Sequence, residues 1–357
     1  MGGFQVELPY LQGYADQFER NADGALAHIT RHINEHCRNF DRIDGVLSPL
    51  RGIFSQGADN FAEGLGRTTE TYRRNADELR GSAEVYAQTD SGAEKVFEKH
   101  GAQLMPSMGH AGRLPEPAVS MPESAVTPKA PPDNNEIDPF KEQIEGLIGD
   151  WVGTVKDFTG FDIMEQVMPF VLGDPGAIRR VGSAWGETGV ALEALAENSR
   201  TGLDQVSGHW EGLAAHLAEQ KIREKHIRSV TTQADICVAL KDCCDGIARV
   251  YENALRAVIS ILRIRGLGIR KVVKEIKDLA RNPAKLLSPD VLIELVETLW
   301  SLVTEIWDLI QEAIKSISDQ CMMVWDMAKT LYHSLIVAVD LLELHTGGAA
   351  PLPELPK

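Results

Sequence analysis

His209-Trp210-Glu211-Gly212, with Leu213-Ala214-Ala215 just behind it, separates two long amphipathic stretches. Upstream, from Gly173-Asp174-Pro175, apolar residues fall at Ile178, Val181, Trp185, Leu192, Leu195, Leu203 and Val206. Downstream the stripe resumes at Val230, Ala234, Cys237, Leu240, Cys244, Ile247, Tyr251, Leu255, Val258 and Leu262. Steps of three and four mark one face of a helix. The quoted stretch therefore lies where one helix stops and the next begins. Gly212 permits a tight reversal, and Trp210 supplies a large, rigid anchor with one N–H to satisfy. A second literal W-x-G, Trp151-Val152-Gly153, comes after Gly149-Asp150 in a poorly periodic stretch without a long helix before it, and position favours Trp210.

The amino-terminal part repeats the pattern. Residues 8 to 44 predict a helix striped by Leu11, Tyr14, Phe18, Ala22, Leu26, Ile29, Ile33, Cys37, Phe40 and Ile43. Gly45, Ser48-Pro49 and Gly52 mark a break. A second helix carries Phe54, Ala58, Phe61, Leu65, Tyr72, Ala76, Leu79, Ala83 and Tyr86. Near-heptad spacing favours long, nearly antiparallel packing, and a hairpin this thin needs a partner surface. The helix closes on Tyr86-Ala87-Gln88-Thr89-Asp90, a Y-x-x-x-D. Residues four apart share a helix face, and an acid at a helix C-terminus gains nothing from the dipole, which leaves room for a recognition role.

A helical hairpin with W-x-G at its tip resembles the WXG superfamily of type VII (ESX) secretion substrates. The first module, Gly3-Phe4-Gln5-Val6 through Val96-Phe97, is similar to the EspC-like hairpins of those systems, relatives that lack the Trp. A hairpin ending in Y-x-x-x-D, a linker, then a hairpin turning at W-x-G resembles the EspB-like and PE/PPE layout, over roughly residues 3–97 and 172–262. The resemblance implies that the two hairpins pack as one four-helix bundle. It further implies that Tyr86, Asp90, Trp210 and Gly212 lie near one end as a composite export signal. It also leads one to expect export without a cleavable signal peptide and a secreted or cell-surface location. Partners in the type VII machinery and its chaperone, and homo-oligomerisation, are expected on the same ground.

Between the hairpins, Pro at 106, 115, 117, 122, 128, 131 and 132 predicts a flexible, partly extended linker over 101–135, long enough to fold the second hairpin back on the first. Phe140, Ile144, Leu147 and Ile148 suggest one short helix in the ambiguous stretch 136–172. After Leu262, Gly266 and Gly268 interrupt a basic patch of Arg263, Arg265, Arg270, Lys271 and Lys274. Ser288-Pro289 reads as an N-cap with Pro behind it, opening a helix to about Leu344. The expected units are residues 1–100, 101–135, 136–265 and 266–346, with a loose tail at 347–357. The EspB-like pattern would place a disordered region where this long helix stands. A bundle or coiled-coil interface is its first reading. A membrane-lying face, helped by Trp300, Trp307, Trp325 and the basic patch, is the second, opposed by acids at 294, 297, 305, 308, 312 and 319, and a catalytic payload comes last.

Composition sets outer bounds. With 43% hydrophobic residues, few aromatics and little strand-like alternation, the fold class is all-α. The net charge of −16 argues against nucleic-acid binding. Met1-Gly2-Gly3-Phe4 leads directly into Gln5-Val6-Glu7 without the charged and apolar regions of a signal peptide, and no apolar run reaches membrane-spanning length. The five Cys form no framework, and Cys37, Cys237 and Cys244 fall on helical stripes as buried thiols. The sharpest enzymatic pattern is His32-Ile33-Asn34-Glu35-His36, an H-x-x-E-H with His28 one turn earlier. Zinc on the imidazoles with Glu35 as base would make a peptidase. The imidazoles, however, flank the stripe of Leu26, Ile29, Ile33 and Cys37, where water is expected to reach them. No catalytic residue, metal or cofactor is therefore assigned, and the expected mode of action is protein–protein interaction and self-assembly.

Overall fold

The computed structural model describes residues 5–101, 119–281 and 289–344. The first part of the Pro-rich stretch, Ser288 as a cap and the tail from Gly347 lie outside the described residues. The chain is all-α, built of long helices packed on one another.

A two-residue strand β1 (Gln5–Val6) leads into α1 (Leu8–Arg20), with Pro9 in its first turn. The rod continues through a widened π-type turn (Asn21–Leu26), α2 (Ala27–His32) and a second widened turn (Ile33–Cys37). It stops there, short of residue 44. Arg42 at φ 67° and Gly45 at φ 59° turn the chain instead, and a 3-10 turn (Gly45–Leu47) precedes α3 (Pro49–Gly101). The widened turns have a cause in the sequence. Tyr14, Phe18, Ala22 and Leu26 are each four apart, and in a regular helix every such step drifts about 40° around the axis. An i→i+5 turn takes up the extra residue and keeps the stripe on one side. All four are buried, and Ala58, Leu65, Tyr72 and Ala76 of α3 are buried on the facing helix.

Three short helices come next, α4 (Asp138–Ile148), α5 (Val152–Thr159) and α6 (Ile163–Val167), with a 3-10 turn (Met168–Val171). Asp174 then caps α7 (Pro175–Ser207), its carboxylate accepting from Gly176 N–H at 2.8 Å. β2 (Trp210–Glu211), α8 (Leu213–Lys221), a widened turn (Ile222–Ile227) and α9 (Arg228–Arg281) complete the second hairpin. α9 runs unbroken through Gly266 and Gly268, so these glycines do not end the helix where the basic patch begins. They make room. Gly266 faces the indole of Trp151, and Gly268 faces Leu302. α10 (Pro289–Leu344) spans the expected length and lies along α9 through Leu299, Val303, Ile306 and Ile310.

The two hairpins share one core. α1 packs on α3, α7 on α9, and α1, α2 and the turn after it pack on α7. Polar groups are matched across that seam. Tyr14 Oη donates to Ser199 O at 2.8 Å, Tyr72 Oη lies 2.9 Å from Ser199 Oγ, and Gln233 Nε2 donates to Thr68 Oγ1 at 2.8 Å. Gly202 lets α1 come close: a Cβ there would sit 2.0 Å from Gln17 Oε1 and 2.7 Å from the Tyr14 ring.

The described half of the Pro-rich stretch is held rather than loose. Residues 119–136 run without regular structure along the seam between α1 and α7. Met121 and Val126 are buried, Gln17 Nε2 donates to Pro122 O, and Asn198 exchanges hydrogen bonds with the backbone of Ser124. At its far end Asp133 meets Arg180 (2.8 Å) and Arg42, and Glu136 N–H donates to Asp174. The hydrogen bond from Arg180 holds the Asp133 carboxyl below the usual range. Fixed Pro torsions lower the entropy lost on docking such a strap.

Candidate functional site

The site is built at the end of the bundle where α7 gives way to α8. Gly208 closes α7, and β2 pairs antiparallel with β1, Val6 opposite Trp210 and Gln5 opposite Glu211. The amide of Glu7 donates to His209 O at 2.9 Å. Side chains reinforce that pairing. His209 Nδ1 lies 3.1 Å from Glu7 Oε1, and its ring stacks on Tyr10 at 3.5 Å and 10°. Gly212 has φ 118° and ψ 178°, a backbone region that only Gly enters without strain. It is the hinge between the β-pair and α8.

Trp210 is 7% exposed, and Tyr86 of α3 meets it edge-on, ring centroids 6.5 Å apart at 75°. Two of the four expected signal residues, from separate hairpins, are therefore in contact, and Gly212 adjoins them. Asp90 belongs to the same helix as Tyr86, one turn on, and its side chain lies outside the described residues. The indole Nε1 of Trp210 is buried without a hydrogen-bond partner among the described residues, so the expected satisfaction of its N–H is not found. Around the site exposed apolar side chains stand among Glu7, Glu84 and Glu211. Leu213 is 66% exposed, and Leu217 and Val85 are close to half exposed. Contributions from Val6, Glu7 and Tyr10 are not legible in the sequence.

The other W-x-G has a different job. Trp151 is buried, its Nε1 donating to Leu147 O at 2.9 Å, and it packs α4 against α9. It is a core residue at the head of α5.

The H-x-x-E-H residues do not converge on one site, although two of them are neighbours. His32 is buried rather than water-exposed, because the widened turn after it and the close approach of α7 enclose it; its Nε2 lies 3.2 Å from Ala184 O. Burial lowers its pKa. His36 is partly buried beside it, ring centroids 4.7 Å apart, whereas His28 is exposed. Glu35 lines an open groove of about 460 Å³ with Arg31, Asn34 and Arg73. Among the described residues no three His, Cys, Asp or Glu side chains are gathered to hold a metal ion. Cys37, Cys237 and Cys244 are buried free thiols, and burial pushes Cys37 up to about 12. A thiol so held is a poor nucleophile at neutral pH.

Comparison of the chain with models of known protein families and with curated proteins finds no match.

Proposed function

We propose that this chain is a substrate or effector of a type VII secretion system, exported without a cleavable signal peptide and acting through protein–protein interaction and self-assembly. In this reading Tyr86 and Asp90 with Trp210 and Gly212 form one composite signal for the secretion machinery. The observation that supports it most is the edge-on contact of Tyr86 with Trp210 between the hairpins, beside a Gly212 whose φ of 118° excludes other residues. Exposed Leu213, Leu217 and Val85 around that contact offer a partner apolar surface to bury. No described helix is long and apolar enough to cross a membrane. A second reading, in which α10 lies on a membrane, draws on exposed Trp300, Met322 and Met323; the acids Glu294, Glu297 and Asp308 on the same helix oppose it.

Secretion of point variants tests the proposal. Trp210→Ala would cost about 3 kcal/mol in packing, so a defect there reports folding as well as export. Asp90→Asn removes one charge at constant shape, and Tyr86→Ala removes a partly exposed ring. Both are expected to fold with wild-type helicity, accumulate in the cell and be depleted from the medium. Wild-type secretion of both would overturn the composite signal.

A further inference from the structure

Beyond the bundle, α9 and α10 continue together as a hairpin whose two helices carry opposite charge. From Arg263 to Arg281, α9 has seven Lys or Arg against Glu275 and Asp278; from Asp290 to Asp319, α10 has seven Asp or Glu against Lys315. They meet through their apolar sides, Ile269, Val272 and Val273 of α9 and Leu299, Val303 and Ile306 of α10, and through the ion pair Arg265–Glu305 at 3.2 Å. α4 also packs on α9 and α5 on α10, and each helix keeps a strip of its surface exposed. On α9, Ile264 is 64% and Leu267 62% exposed, ringed by Arg263, Lys271 and Lys274. On α10, Ile293 is 55% exposed, and Trp300, whose ring meets Phe161 edge-on, is 49% exposed, next to Glu294 and Glu297.

We propose that these faces dock on each other between copies of the chain, the basic free face of α9 in one copy against the acidic outward face of α10 in the next. Each face sets two substantially exposed apolar side chains beside charges of a single sign, and these five charges make no ion pair among the described residues. Within one chain the faces cannot satisfy one another, because both turn away from the α9–α10 contact. Between chains, apolar meets apolar and the two carboxylates find cations, so burial of the apolar centre is matched by charge at its rim. A chain of net charge −16 offers an anionic bilayer little attraction overall, which favours a second copy as the occupant. The contact is heterologous, one surface patch on a different one, and so builds rings or filaments rather than closed pairs. It rests on the reading of the chain as a self-assembling protein and leaves the export residues untouched.

The test uses the purified full-length chain in sedimentation velocity over a range of concentrations, with helicity checked by circular dichroism. Wild type is expected to associate with concentration, less so as salt is raised. Lys271→Glu/Lys274→Glu and Glu294→Lys/Glu297→Lys should each weaken association by at least about tenfold. Mixed in equal amounts, the two reversed variants regain complementary faces, so association should return. A wild-type chain that stays monomeric, reversals without effect, or a mixture that fails to recover would each overturn the proposal. So would wild type that ignores other copies yet floats with phosphatidylserine vesicles and loses them in the Lys271→Glu/Lys274→Glu variant. Because Tyr86 and Asp90 are unchanged throughout, failure here leaves the export assay to be decided by itself.

Discussion

His226 sits inside the bundle between aromatic rings, with centroids 5.0 Å from Phe18 and 4.1 Å from Tyr72, and its Nε2 has no hydrogen-bond partner among the described residues. Burial, helped by nearby Lys221, lowers its pKa to about 3. In the unfolded chain it would titrate near the ordinary value of about 6.5. The folded state therefore binds fewer protons than the unfolded one between those values, and stability is lost as pH falls below about 6.5, by up to about 1.4 kcal/mol per pH unit. His32, also lowered by burial, acts in the same direction. His226→Phe keeps a ring in the aromatic cluster and removes the titration. Denaturant unfolding at about pH 7 and about pH 5, either side of the ordinary imidazole value, should show a clearly smaller acid loss in the variant than in wild type. Equal losses would show that this imidazole does not govern acid sensitivity. The sequence places His226 four residues before Val230 at the head of the apolar stripe, yet nothing in it says that the ring is buried. The same gap hid His32: burial of a flank residue depends on which helix docks there.

At the scale of elements the apolar stripes were legible residue by residue. Phe54, Ala58, Phe61, Leu65, Tyr72, Ala76, Leu79 and Ala83 are all buried, as are Ile178, Val181, Trp185, Leu192, Leu195, Leu203 and Val206. Helix continuity was less legible. Gly266 and Gly268 look like a break in one dimension, and in three they lie inside the continuous α9, facing Trp151 and Leu302. The widened turns escaped notice because a four-step spacing reads as ordinary helix until its drift is summed. Gly202 makes the interhelical approach testable. Gly202→Ala pushes a methyl into Gln17 and the Tyr14 ring, both buried. It should cost about 2 kcal/mol despite a better helix propensity, read as a lower denaturant midpoint. An unchanged or raised midpoint would mean that α1 and α7 are packed less closely than the Tyr14–Ser199 bond implies.

For the whole molecule, the shared core means that neither hairpin is complete alone. Ending the chain at residue 100 would bare the seam around Tyr14, Gln17 and Tyr72, along with Phe18, Phe61 and Leu65. Such a fragment is expected to aggregate or dimerise, because apolar patches above a few hundred Å² rarely stay naked. Light scattering that finds a stable monomer would refute the single core. The composite end was legible only in part: its four residues stand out in the sequence, but the docking of β1 on β2 is a long-range event that no local pattern encodes. That pairing has a kinetic meaning. Val6 and Trp210 are brought together from the start of one hairpin and the turn of the other. Contacts between such distant positions close late, since loop entropy must be overcome before they form. A receptor that engaged this end would therefore read an arrangement made jointly by both hairpins, one that a chain with the hairpins apart would not present.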